Sequence, residues 1–142
     1  MLNYQQLKEI LPHAYPFLLI DRVEEYKEGE SLTAIKNISS NEWPNQGNDS
    51  LIFPEVLLIE AAAQAALVLY HVSKVKDRPK PRYVLGRVHS EFTRPVEVGD
   101  QIQFAVSAGK MLDSGGYSNI DILRHKEKVS QVEIFYSAKA NL

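Results

Sequence analysis

Residues 54–76 read PEVLLIEAAAQAALVLYHVSKVK, and the architecture turns on this stretch. Alanine and leucine abound, and neither glycine nor proline follows Pro54. The composition predicts one long helix with Pro54 at its first position, where a missing N–H costs nothing. From Val56 to Tyr70 the helix is apolar on nearly every side, the pattern of a helix enclosed by protein. That run is interrupted by Glu60 and Gln64 and reads as too short to span a bilayer, so a core helix is expected and no membrane partner.

Working outward, Leu7, Ile10 and Leu11 fall at helical spacing within residues 4–11 and Pro12 stops propagation, which predicts a short amphipathic helix packed as a lid. FLLIDRVEEY, 17–26, is strand-like; after the turn signal Glu28-Gly29-Glu30 a second strand runs over 31–38, and the two should form a hairpin. NEWPNQGNDSLIF, 41–53, shows no sustained period and reads as a loop. Beyond the long helix, the polar connection DRPKP at 77–81 leads to strands over 82–93, 101–108, 117–123 and 129–138. Turns at Val98-Gly99-Asp100 and Ser114-Gly115-Gly116 separate three of them. Ile102, Phe104 and Val106 alternate with Gln103, Ala105 and Ser107, as on a strand with one buried face. The order of elements gives an α+β fold, a mainly antiparallel sheet wrapped around one long central helix, in a single domain over 1–142. An edge strand left open by such a sheet invites self-association.

The composition narrows the function. A length of 142 residues suits one core, and 44% apolar with 24% charged residues is ordinary for a globular chain. Sixteen basic against eighteen acidic residues leave a net charge of −2, so no global field favours nucleic acid or an anionic surface. The absence of cysteine excludes disulfides, thiolate metal sites and cysteine nucleophiles. The opening MLNYQQLKEILPHAYPF lacks a basic start followed by an apolar run, so the expected location is cytoplasmic.

Glu60 is the most informative residue. Its neighbours at helical offsets are apolar except Gln64, and a carboxylate among such neighbours needs a raised pKa or a dedicated partner. Such a group can act as a general acid or base. Its structural alternative is an arginine partner at a polar gap or dimer seam. Gln64, one turn later, either orients that carboxylate or satisfies a nearby backbone group. The helix start at Pro54, Glu55 and Val56 offers backbone N–H groups and a positive dipole end, which suit a thioester carbonyl gaining negative charge. Of the four histidines, His13 lies between prolines and reads as fixing a turn. His71 sits near the helix end, where cations are favoured, and His89 and His125 fall on candidate strands without evident partners. Neither a metal site nor a cofactor is indicated.

LPHAYPFLLIDRV at 11–23, AIKNIS at 34–39, FPEVLLIEAAAQA at 53–65 and YVLGRVHSEFTRPVEVGDQI at 83–102 together resemble the (3R)-hydroxyacyl-acyl-carrier-protein dehydratases, in the order that family shows. The resemblance implies a hot-dog fold, a dimer or higher homo-oligomer with sites at its interface, and an acyl thioester of an acyl-carrier protein or coenzyme A as substrate. In that family a histidine in a Gly-His-Phe-Pro loop and a carboxylate on the central helix act together, usually from different subunits. The carboxylate corresponds to Glu60, and Gln64 matches the glutamine that follows it. The loop here reads QGNDSLIFPEV, so Gly47 matches the family glycine and Asn48 stands where the histidine is expected. Glu55 replaces a helix-start glycine whose N–H resembles an oxyanion donor.

Asn48 cannot exchange protons near neutral pH, and losing a general base typically removes about 10²- to 10⁴-fold of rate. Three readings follow from the residues. One is a dehydratase with a rebuilt acid/base pair, in which Asp49 or another histidine substitutes. The second is a hot-dog thioesterase using Glu60 and Asn48, and the third a non-catalytic acyl-binding subunit.

Overall fold

Residues 1–13, 17–40 and 51–140 are described by the computed structural model. Asn3 starts helix α1 (Tyr4–Ile10): its side chain accepts from the Gln6 N–H at 2.9 Å while the Gln6 side chain accepts from the Asn3 N–H at 2.8 Å, so two orphan donors are satisfied reciprocally. Leu7 and Leu11 are buried, and the Leu2 backbone bridges Val23, which ties this helix to the first hairpin.

That hairpin is β1 (Arg22–Lys27) and β2 (Ser31–Asn37), paired antiparallel around a turn in which Gly29 takes φ 74°. The first strand therefore begins at Arg22, five residues later than the sequence pattern suggests. Leu18, Leu19 and Ile20 are buried as their apolarity requires, but a helix side chain, Gln64, takes the backbone groups of Phe17 and Leu19 in place of a neighbouring strand.

Helix α2 (Glu55–Tyr70) has Pro54 as its N-cap, in an extended conformation, so Glu55 and not Pro54 is the first helical residue. Every residue from Ala61 to Tyr70 is buried, as an enclosed helix demands. A π-helical turn, His71–Val75, extends it and ends at Lys76 with φ 43°. The continuous run Glu55–Val75 is 21 residues, long and apolar enough to cross a membrane by length and composition, which corrects the shorter span read from Val56 to Tyr70. It is nevertheless 67% buried against the rest of the chain, and β2, β4, β5 and β6 all contact α2. The helix is the core of the sheet.

The remaining strands are β3 (Arg82–Phe92), β4 (Gln101–Leu112), β5 (Gly115–Arg124) and β6 (Glu127–Lys139). All pairings are antiparallel, in the order β1-β2-β4-β5-β6-β3. Ile102, Phe104 and Val106 point inward as their alternation predicts, joined by Ile120, Ile122, Val132 and Ile134. The strand carrying the first three runs four residues past Ala108, through a bulge at Gly109 where a Cβ would stand 2.2 Å from the Tyr117 ring. His125 is not on a strand: with Lys126 it forms the tight β5–β6 turn at φ 50° and 64°. Among the described residues β3 pairs only with β6, and Val84, Leu85 and Val88 on it are exposed.

Candidate active site

Glu60 sits in the second turn of α2, where the helix emerges from the sheet. Alanines at 61, 62, 63, 65 and 66 are all buried, and the segment from Phe17 to Leu19 is hydrogen-bonded to the helix through one side chain. Gln64, one turn beyond Glu60, anchors that segment. Fully buried, it accepts from the Leu19 N–H at 2.8 Å and donates to the Phe17 carbonyl at 2.7 Å. Its amide also reaches Glu60 Oε1, but at 3.5 Å, the outer limit of a hydrogen bond. Of the two roles that the sequence allows Gln64, backbone satisfaction dominates and orientation of the carboxylate is secondary.

His13 meets the carboxylate directly. Its Nε2 lies 3.0 Å from Glu60 Oε1, with the two side chains 23% and 39% exposed. Among the described residues Oε1 takes both contacts and Oε2 takes none. The hydrogen bond from His13 is the largest influence on Glu60 and holds its carboxyl below the usual range; burial pushes the other way without prevailing. The dedicated partner expected for this carboxylate thus exists, and it is a histidine of the same chain, not an arginine. Its other ring nitrogen, Nδ1, is buried without a hydrogen-bond partner; the turn after it lies outside the described residues.

The helix start stands about 7 Å along the axis from Glu60, at 1.5 Å per residue. Glu55 borders a 250 Å³ cavity with Ile52, Phe53, Leu58 and Phe92. Val56 is 69% exposed, one turn before Glu60 and on its face of the helix. The Pro54 carbonyl accepts from Leu57 and Leu58, while the N–H groups of the first turn have no carbonyl within the helix to reach. Gly47, Asn48 and Asp49 lie outside the described residues.

The other histidines are not at this site. His71 is held below its ordinary pKa by burial and by Lys80, so a neutral ring, not a helix-end cation, occupies that position. His89 lies 3.8 Å from Glu91 on the exposed edge strand. Tyr70, Tyr83 and Tyr136 pack edge to face, and burial pushes the Tyr136 hydroxyl up to about 12. Their edge-to-face geometry is that of core packing. His13 is the residue that sequence reasoning underrated. Only the family-specific segment LPHAYPFLLIDRV carried a signal for it.

A carboxylate at the rim of a sheet-wrapped helix defines a class of acyl-processing domain, and comparison with known proteins places the chain within it. The FabA-like domain matches residues 11–134, and the chain belongs to that family. A 3-hydroxyacyl-acyl-carrier-protein dehydratase FabZ of Bacillus cytotoxicus is 34% identical over 139 residues, covering 96% of this chain and 96% of its own length. The FabZ of Shewanella woodyi is 41% identical over 139 residues, 94% of this chain and 91% of its own. Among solved structures, the dehydratase heterocomplex ApeI:P of Xenorhabdus doucetiae superposes with TM-score 0.75 at 14% identity, over 95% of this chain and 91% of that one. A mutant thioesterase of Pseudomonas aeruginosa superposes with TM-score 0.73 at 14% identity, over 96% and 94%. At that identity the likeness concerns the fold alone, which is the hot-dog fold expected from the resemblance.

Proposed function

We propose that this chain dehydrates 3-hydroxyacyl thioesters in the cytoplasm, on an acyl-carrier protein or coenzyme A, with Glu60 as the reacting carboxylate. The observation that carries this reading is the geometry of Glu60: a half-buried carboxylate whose pKa the His13 hydrogen bond lowers, with Oε1 bonded and, among the described residues, Oε2 without a partner. Eliminating water from such a substrate requires a base for the C2 proton and a proton for the departing hydroxide, and Oε2 is an oxygen that can take the first. Apolar side chains around it, Val56 at 69% exposure and Phe17 at 70%, suit an acyl chain or a second protomer. Gly47 and Asn48 would flank the thioester, and the helix start from Pro54 to Val56 would steady its carbonyl.

Two copies joined along β3 would continue the sheet and cover Val84, Leu85 and Val88, which supports a homodimer as the working unit. The test is to incubate the protein with a 3-hydroxyacyl and a saturated acyl thioester, following alkene formation and thiol release. Dehydration that Glu60→Gln abolishes without unfolding the domain supports the reading. Thiol release alone replaces it with a thioesterase; binding of acyl-carrier protein without any turnover replaces it with a non-catalytic subunit.

A further inference from the structure

We propose that His13 is the positioning residue of this site: a neutral imidazole carrying its proton on Nε2, it donates to Glu60 Oε1 and so reserves Oε2 for both proton transfers of the elimination. The inference rests on the dehydratase reading, and it leaves both proton transfers to Glu60 alone.

Three observations meet at this ring. The Nε2–Oε1 distance of 3.0 Å is that of a hydrogen bond to a charged acceptor. Nδ1 is buried and unpartnered, and a bare lone pair there costs less than a buried N–H⁺ without an acceptor, which selects the tautomer protonated on Nε2. Among the described residues no other titratable group touches Glu60, either from α2 itself, where Gln64 is the polar neighbour, or from the segment packed across it. The imidazole therefore fixes one oxygen and leaves the other without a partner among the described residues.

The chemistry then needs one carboxylate. Oε2 takes the C2 proton, the C2–H electron pair becomes the C2=C3 bond, the C3–O bond breaks, and the departing oxygen recovers the same proton from Oε2 and leaves as water. Glu60 ends charged, as it began. A carboxyl that favours its charged form returns the proton readily. His13 changes neither its charge nor its tautomer.

A glutamine can imitate that donor, because its side-chain amide offers an N–H and cannot titrate. The experiment compares wild type, His13→Gln, His13→Leu and Glu60→Gln, measuring kcat/KM for a 3-hydroxyacyl-acyl-carrier-protein against pH. Carboxyl ¹³C NMR follows the Glu60 titration in the two His13 variants and wild type. In His13→Leu the Glu60 midpoint and the acid limb of the profile should move together to higher pH. Activity on that limb should fall about tenfold for each unit of movement, while His13→Gln recovers most of the loss. An unmoved Glu60 midpoint in His13→Leu overturns the proposal, as does a His13→Gln variant as impaired as His13→Leu, which would make the ring a proton carrier. If His13→Leu fails to fold, His13→Gln against wild type decides by the same two readouts. An active wild type with an inert Glu60→Gln and an unaffected His13→Leu rejects His13 alone. A wild type that dehydrates nothing rejects the function and this role together.

Discussion

Replacing Gln64 with leucine removes a side chain that serves two backbone groups at once and leaves the volume nearly unchanged. The Leu19 N–H, on a residue 5% exposed, loses its acceptor in a dry environment; the Phe17 carbonyl, on a residue 70% exposed, can turn to water. An unsatisfied buried donor costs about 1–3 kcal/mol and a partly compensated carbonyl adds to it, so the change should destabilise by about 2–4 kcal/mol. For a chain of this size that corresponds to a fall in Tm of roughly 6–16 °C, at about 3–4 °C per kcal/mol. Urea unfolding gives the global figure, and hydrogen exchange at the Leu19 amide gives the local one, since that amide should lose protection out of proportion to its neighbours. Gln64→Glu makes the complementary test. It keeps the acceptor for Leu19 but loses the donor to Phe17 and places a second carboxylate one turn from Glu60, raising the Glu60 pKa by like-charge repulsion. A leucine variant within about 0.5 kcal/mol of wild type, the ordinary range for surface changes, and with Leu19 still protected would refute the claim that this amide holds the His13 segment.

Two further outcomes follow. Because the His13 hydrogen bond lowers the Glu60 pKa on folding, the pair contributes stability above the unfolded carboxyl value and loses it as pH falls through the folded one. The stability gap between wild type and Glu60→Gln should therefore narrow from pH 7 toward pH 3 in denaturant titrations; a gap that widens contradicts the pairing, and solvent screening of a carboxylate 39% exposed keeps it small. Val88→Glu places a charge on the open edge of β3, outside the core, and sedimentation should show a dimer shifted toward a folded monomer; an unaltered dimer would put the interface elsewhere.

The fold was legible wherever periodicity and punctuation agreed. Alternation in β4 identified Ile102, Phe104 and Val106, the turn at Gly99 takes φ 96°, and the all-round apolarity of residues 56–70 announced a helix enclosed by sheet. The failures have specific causes. Residues 17–21 have strand composition, but Phe17 and Leu19 hydrogen-bond to the side chain of Gln64, more than forty residues away in sequence, and no local window contains that partner. His125 and Lys126 adopt positive φ without the glycine that usually advertises it. His13 escaped the reading of local pattern for the first of these reasons: its partner, Glu60, stands far along the chain on another element.

The two polar residues on the buried helix thus divide the work, and burial tells them apart. A sheet that surrounds α2 leaves no water for a polar side chain, so a residue such as Gln64, fully buried, must find its partners within the protein, and it finds backbone groups of matching number. Glu60 stands one turn nearer the helix start, and among the described residues only one of its oxygens has a partner. A structural carboxylate would be expected to use both. The oxygen without a partner among the described residues is the part of this fold that packing alone does not explain, and it is why the proposed reaction is assigned to Glu60.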